Sequence, residues 1–108
     1  MDWKVVYFES ARRERFVKEF IDKQRLGVRA KYAGMIDFLK KYGPFLSGKY
    51  TKKLKKNLYE LRITRKEQIR VFYTVRQREI ILLHAFKKKT QKTPLKEMKT
   101  ALLRLDRM

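Results

Sequence analysis

Three strand-like runs occupy residues 58–63, 69–75 and 80–86 in the second half of the chain. They are rich in β-branched and aromatic residues, and the connections between them are short enough for hairpin turns. The last run has almost no polar interruption over seven residues, which indicates a strand buried on both faces. The pattern predicts three consecutive strands that pair mainly in antiparallel fashion.

Alternation along these runs assigns side chains to two faces of the sheet. Glu60 and Arg62 lie opposite the apolar positions of the first run, and Arg70 and Phe72 do so in the second. We expect this second face to be a basic concave surface. The apolar face, which we expect to pack on helices, consists of Tyr59, Leu61, Ile63, Ile69, Val71, Tyr73 and Val75.

The first half of the chain predicts one short strand, at 3–8, and then two helices. Glu9-Ser10 suits a helix N-cap, and apolar residues then recur at helical spacing. Leu26-Gly27 is expected to break this helix, and Gly43-Pro44 to stop the next. Two short helices joined by a glycine-containing turn predict an antiparallel hairpin.

The end of the chain predicts one further helix. Thr93-Pro94 offers a capping side chain followed by proline at the first helical position. Leu95, Met98, Leu102 and Leu105 then form one apolar stripe. The predicted fold is therefore a single compact α+β domain over residues 1–108. It has an antiparallel-dominated four-stranded sheet, the helical hairpin on one face and a C-terminal helix.

The charge balance points to a polyanionic partner. Thirty Lys and Arg against 11 Asp and Glu give a formal net charge of +19 in 108 residues. Such a charge costs stability through self-repulsion, and nucleic acid is the commonest partner that offsets it. The chain has no cysteine and one histidine, which argues against a disulfide framework and against a metal site built from these residues. Neither a membrane-spanning run nor a signal peptide is apparent, so we expect a cytoplasmic protein.

Lysines concentrate in two segments that we predict to be loops. One segment precedes the three strands and the other follows the last of them, so both should border the basic face. We assign RNA or ribosome binding to Lys49, Lys52, Lys53, Lys55, Lys56, Lys89 and Lys92.

Three segments, at 59–63, 69–73 and 83–94, resemble the RelE/ParE toxin superfamily, and specifically its HigB-type members. The most specific of them is an aromatic residue followed by Lys87-Lys88 and then by Thr90-Gln91-Lys92-Thr93-Pro94. The resemblance covers nearly the whole chain. It implies a RelE-like fold similar to that of small microbial ribonucleases.

The resemblance also implies a function and partners. RelE-like toxins of type II toxin-antitoxin systems cleave messenger RNA on the translating ribosome, without a metal or an organic cofactor. The cognate antitoxin of a HigB-type toxin is a HigA-like helix-turn-helix protein that represses the shared operon. The expected partners are therefore the ribosome with its mRNA, and an antitoxin in a hetero-oligomeric, operator-binding complex. No membrane partner is expected.

Several candidate catalytic residues follow from the resemblance. Arg70 matches the arginine that contacts the scissile phosphate, Arg62 matches a second basic position, and Lys87 and Lys88 match a basic pair at the end of the last strand. Ile69 stands where that strand motif often has tyrosine, and no tyrosine follows Lys92. The resemblance therefore names neither the general acid nor the general base.

The residues themselves leave the proton-transfer groups open. His84 is the one side chain that titrates near neutrality without perturbation, although a histidine in an apolar strand is more often structural. A lysine whose pKa is lowered by neighbouring cations is another candidate. For Glu60 we expect an ion pair with Arg62 or a nearby lysine rather than a role as base.

Two alternative functions remain open at this point. A ParE-like protein shares the fold and acts on DNA gyrase without nuclease activity. A small basic protein that binds RNA or the ribosome, without any activity, would show the same charge. The nuclease is favoured because its reaction requires clustered cations.

Overall fold

A five-stranded mixed sheet is the centre of the computed structural model, which describes residues 3–45, 48–64, 66–92 and 94–108. In these residues the strands lie in the order β1-β5-β4-β3-β2. Their bounds are β1 (Lys4–Tyr7), β2 (Thr51–Lys55), β3 (Leu58–Thr64), β4 (Gln68–Arg76) and β5 (Glu79–Lys87). The three predicted strands are confirmed as β3, β4 and β5, which pair antiparallel.

The prediction of four strands is wrong because it omitted β2. This strand pairs antiparallel with β3 and forms one edge of the sheet, with an irregular register between Lys53 and Lys55. Its sequence, Thr-Lys-Lys-Leu-Lys, lacks the apolar alternation of a half-buried strand. An edge strand tolerates such a sequence, because exposed lysines protect the unpaired edge from pairing with other chains.

The sheet is mixed because β1 pairs parallel with β5. Val5 lies opposite Ile80 and Tyr7 opposite Leu82, so the N-terminal strand forms the other edge. β5 therefore lies between two strands, and its side chains enter the apolar clusters on both faces of the sheet. This agrees with the uninterrupted apolar run that predicted it.

The two N-terminal helices differ from the predicted hairpin of short helices. α1 (Phe16–Asp22) has seven residues, whereas α2 (Leu26–Tyr42) has 17. Gly27 was expected to break the chain but lies in the first turn of α2, and the connection is made by 23–25. Glycine costs a helix about 1 kcal/mol of conformational entropy and removes no hydrogen bond, so it does not by itself end a helix.

The start of α1 also differs from the prediction. Ser10 does not cap this helix; its Oγ accepts hydrogen bonds from the N–H groups of Arg12 (3.2 Å) and Glu14 (3.0 Å). Arg13 has a positive φ of 64°, which ends any helical path at that point. The helix therefore begins only at Phe16.

The C-terminal helix is confirmed as α3 (Leu95–Asp106). Pro94 occupies the N-cap and not the first helical position, while the expected capping residue, Thr93, lies outside the described residues. No helix in the described parts of the chain is long and apolar enough to cross a bilayer.

Two apolar cores lie on opposite faces of the sheet, and the face assignment from alternation is confirmed. Leu61, Ile63, Ile69, Val71 and Tyr73 pack with residues of α1 and α2. On the other face, α3 packs through Ala101 and Met98 on a cluster that includes Phe72, Leu83 and Phe86. The result is one α+β domain in which the predicted basic face is partly covered by α3.

Candidate functional site

Two arginines and a glutamate form a buried ionic cluster on the face that α3 shares. Arg62 on β3 lies directly opposite Arg70 on β4. Arg62 Nε donates a hydrogen bond of 3.0 Å to Glu60 Oε1, and Arg70 Nε lies 3.8 Å from Glu60 Oε2. The side chain of Glu60 is 2% exposed and that of Arg70 is 9% exposed. The expected ion pair between Glu60 and Arg62 is confirmed, and it extends to a second arginine.

The side chain of Arg70 does not use all of its hydrogen-bond donors within the described residues. Its Nη1 donates to the Ile69 carbonyl oxygen (3.2 Å) and its Nη2 to Gln68 Oε1 (3.3 Å). Among the described residues, Arg70 Nε and Glu60 Oε2 are buried without a hydrogen-bond partner. Burial lowers the pKa of Arg70, the Glu60 charge raises it, and the Arg62 charge lowers it again. A guanidinium stays charged despite such shifts, so a cation is held here with little water around it.

A polar pocket of about 420 Å³ opens beside this cluster. Lys88 donates its backbone N–H to the Gln68 carbonyl oxygen at 2.7 Å, which ties the loop after β5 to the start of β4. Cationic and amide side chains thus surround a space that suits an anion with hydrogen-bonding substituents. The lining residues are Gln68, Arg70, Lys88, Lys89, Thr90 and Gln91.

Lys87 and Lys88 do not act as a pair in this structure. Lys87 lies opposite Ile69 and therefore points to the face that packs on α1 and α2. Its Nζ lies 3.3 Å from Glu67 Oε1, and the same oxygen lies 3.6 Å from Arg25 Nη2. Of the two lysines that the resemblance nominated, only Lys88 lies with Arg70 at the pocket.

The side chain of His84 projects from β5 and contacts two residues of α3. Arg104 Nη1 approaches His84 Nδ1 at 3.1 Å and donates to the Leu83 carbonyl oxygen at 2.8 Å. Because a guanidinium only donates, His84 Nδ1 must be the acceptor, and the proton resides on Nε2. His84 Nε2 then donates to Glu97 Oε1 at 2.7 Å. Burial lowers the pKa of His84; the Glu97 bond opposes this shift and the Arg104 charge adds to it.

A β-bulge explains why His84 and Leu83 both contact the α3 face. The register of β4 and β5 shifts between Phe72 and Tyr73, so that Phe72 pairs with His84 and Tyr73 pairs with Leu82. The His84 ring stacks on Phe86 with centroids 5.6 Å apart, and Phe72 meets Phe86 edge to face at 5.1 Å. These aromatic rings form the floor beneath α3 beside the arginine cluster.

The lysines before β3 spread over several surfaces. Lys52 pairs with Glu60 and shares the site face, whereas Lys53 pairs with Tyr59 and shares the opposite face. Lys49 Nζ lies 5.5 Å from the ring centroid of Tyr50. Lys55 and Lys56 are exposed near the turn that joins β2 to β3, at the far end of the strands from Arg70.

The lysines after β5 remain close to the pocket. Lys89 lines it, and Lys92 is exposed on the same loop. The RNA-binding set predicted from the sequence is therefore only partly brought together: Lys52, Lys89 and Lys92 lie on the site side.

Alternation and charge did not identify three residues that the structure adds. Gln68 accepts a hydrogen bond from Arg70, and Glu97 and Arg104 hold His84. The partner of Glu97 and Arg104, His84, is remote in the chain, so no local pattern marks these two residues. Gln68 lies two positions before Arg70 on the same strand, so alternation could have placed it beside Arg70. Within the described residues, no cluster of three or more His, Cys, Asp or Glu side chains could hold a metal ion.

The fold and the cluster define a small basic α+β protein with a polar pocket lined by cationic side chains. Residues 19–106 match the family described as phage-derived protein Gp49-like (DUF891), and the chain belongs to this family. It is a RelE-like toxin family of toxin-antitoxin systems, which implies an antitoxin partner. No curated protein matches the chain in sequence.

Proposed function

We propose that this protein is the HigB-type toxin of a type II system and that it is a ribosome-dependent endoribonuclease. The observation that carries the proposal is the Arg62–Glu60–Arg70 cluster, which lies beside a pocket lined by Lys88 and Lys89. Membership of a toxin family supports the biological role. The net charge of +19 suits a target as rich in phosphate as the ribosome.

Messenger RNA supplies its own nucleophile in this reaction. The 2′-hydroxyl attacks the adjacent phosphorus as its proton passes to a base, and the bond from phosphorus to the 5′-oxygen breaks. That oxygen takes up a proton, so the products are a 2′,3′-cyclic phosphate and a 5′-hydroxyl. The transition state carries extra negative charge on its non-bridging oxygens, and fixed cations aimed at them lower the barrier.

Arg70 is placed to stabilise that charge. Its side chain lines the pocket, and contacts with Gln68 and Glu60 fix the orientation of that side chain. Arg62 is more exposed and lies beside it, and Lys88 approaches from the loop. Removing one well-placed donor of this kind costs about 2.7–4 kcal/mol of transition-state stabilisation, or about 10²–10³ in rate.

Glu60 is a better candidate for the proton acceptor than His84. Both ring nitrogens of His84 are engaged by Glu97 and Arg104, so this histidine can act as a base only if α3 moves. Glu60 Oε2 lacks a hydrogen-bond partner among the described residues and lies beside Arg70. The side chain of Glu60 is 2% exposed and is not among the described residues that line the pocket, so RNA reaches it only if the contact with Arg70 opens.

The test compares the wild-type chain with Arg70→Ala and with a matched control, Arg76→Ala. Arg76 lies on the same strand but is exposed at its far end. Each chain is induced in bacteria, and 5′ ends are mapped on translated and untranslated copies of one transcript. We expect new ends only on the translated copy, for the wild type and for Arg76→Ala, and at least about 100-fold fewer for Arg70→Ala.

Other outcomes would redirect the assignment. Growth arrest without new 5′ ends would favour the gyrase-directed alternative. Cuts on both transcript copies would show that cleavage does not depend on the ribosome. Equal cutting by Arg70→Ala and the wild type would show that the arginine cluster takes no part in the reaction.

A further inference from the structure

A second concave surface lies between α3 and the edge strand β2. This groove has a volume of about 640 Å³, and none of the described residues that line it also lines the pocket beside Arg70. Helix α3 contributes almost all of its lining, and β2 contributes one lysine at the rim. The lining residues are Lys55, Leu95, Lys96, Met98, Lys99, Thr100, Leu102 and Leu103.

The groove combines exposed apolar side chains with lysines. Leu95 is 81% exposed and Leu103 is 56% exposed, whereas Met98 and Leu102, which also line the groove, pack partly against the sheet. None of the described residues that line the groove is acidic. Glu97, the acidic residue of the first turn, is bonded to His84 on the other side of the helix.

This combination favours a protein segment over nucleic acid as the occupant. A phosphate backbone would pair with Lys55, Lys96 and Lys99 but would leave Leu95 and Leu103 in contact with water. An amphipathic segment with acidic flanks satisfies both, because its apolar side chains cover the leucines while its carboxylates meet the lysines. Pairing with the β2 edge itself is discouraged by its exposed lysines and irregular register.

We propose that this groove is the docking site for an acidic amphipathic segment of the antitoxin. The inference rests on the proposed function, which supplies the partner. The groove starts at Leu95, directly after the loop that carries Lys88 and Lys89. A segment bound along α3 therefore occupies a different surface from the pocket and does not have to fill it.

The test measures binding of the protein encoded beside the toxin gene. Its dissociation constant is determined by calorimetry for the wild-type chain, Leu103→Glu, Lys99→Glu and the control Leu26→Glu. Leu26 is 72% exposed on α2, away from the groove. We expect binding to weaken about 30-fold or more for the two groove variants, as at an interface hot spot, and to be unchanged for the control.

A second measurement separates docking from activity. Neither Leu103 nor Lys99 belongs to the pocket, so both groove variants should arrest growth as the wild type does but escape neutralisation by the co-expressed antitoxin. Tight binding of both groove variants would overturn the docking site while leaving the toxin assignment intact. No binding by the wild-type chain would overturn the partner, and with it the docking proposal.

Discussion

Three charged residues, Arg62, Arg70 and Glu60, form one cluster because side chains alternate between the two faces of a strand. Strand alternation put Arg62, Arg70 and Glu60 on one face, because their run is regular and its apolar positions are unambiguous. The same rule separates Lys87 from Lys88, since consecutive residues at the end of a strand point to opposite faces. The prediction that both lysines join the site neglected this rule.

His84 gives a prediction at the same scale. Its pKa is lowered in the folded chain, so below about pH 6.5 the unfolded chain binds more protons than the folded one. Stability from this residue is complete above pH 6.5 and is lost as the pH falls towards the folded pKa. We expect a lower free energy of unfolding at pH 5.5 than at pH 7.5.

The chain has one histidine, which makes the measurement simple. Urea unfolding at the two pH values is compared with that of His84→Gln, which should lose much of the pH dependence between them. An NMR titration should give one imidazole with a pKa below 6.5. An imidazole that titrates above this value would contradict burial as the main influence on the pKa of His84.

The secondary-structure elements show where pattern reading succeeds and fails. β3, β4 and α3 have strong periodicity, β5 has an uninterrupted apolar run, and all four were predicted correctly. β2 was missed because its stability comes from pairing with β3 and not from its own composition. The start of α2 was misplaced because Gly27 resembles a break, and only tertiary context shows that the chain turns at 23–25.

The end of α2 provides a prediction at the scale of an element. Gly43 has φ 95° and donates its N–H to the Leu39 carbonyl oxygen at 2.8 Å. A Cβ added there would lie 2.9 Å from Trp3 Nε1. Gly43→Ala should therefore lower the free energy of unfolding by about 1–3 kcal/mol. Each kcal/mol should lower the melting temperature by roughly 4–8 °C.

Gly34→Ala is the matched control on the same helix. No atom lies within 4 Å of its added Cβ, and alanine is favoured over glycine in a helix interior by about 0.8–1.0 kcal/mol. Thermal unfolding should show a rise for Gly34→Ala and a fall for Gly43→Ala. A neutral or stabilising Gly43→Ala would contradict the packing of Trp3 on the α2 terminus.

The whole molecule has a layered fold, and its two faces differ in how far helices cover them. α1 and α2 cover one face of the sheet, while α3 covers only part of the other and leaves the pocket beside Arg70 open. The α+β class, its net charge and the polarity of the faces could be predicted from the sequence. The placement of α3 over His84 could not, because it depends on contacts between residues 13 and 20 positions apart.

The charge predicts a steep dependence of RNA binding on salt. Each phosphate neutralised on a single strand should contribute a slope of about −0.7 to a plot of log affinity against log salt. We expect Lys89→Ala, at the pocket, to reduce the slope by about one contact and Lys53→Ala, on the opposite face, to leave it unchanged. Fluorescence anisotropy with a short RNA measures both, and a salt-independent affinity would contradict the electrostatic account.

The central claim is that Arg62, Arg70 and Glu60 promote attack by the 2′-hydroxyl of messenger RNA. The most direct measurement identifies the termini that the purified protein produces on translating ribosomes. We expect a 2′,3′-cyclic phosphate on one fragment and a 5′-hydroxyl on the other, with neither formed by Arg70→Ala. Fragments that end in a 3′-hydroxyl and a 5′-phosphate would contradict this mechanism. Messenger RNA that stays intact, although the protein is toxic and is neutralised by the antitoxin, would also contradict it.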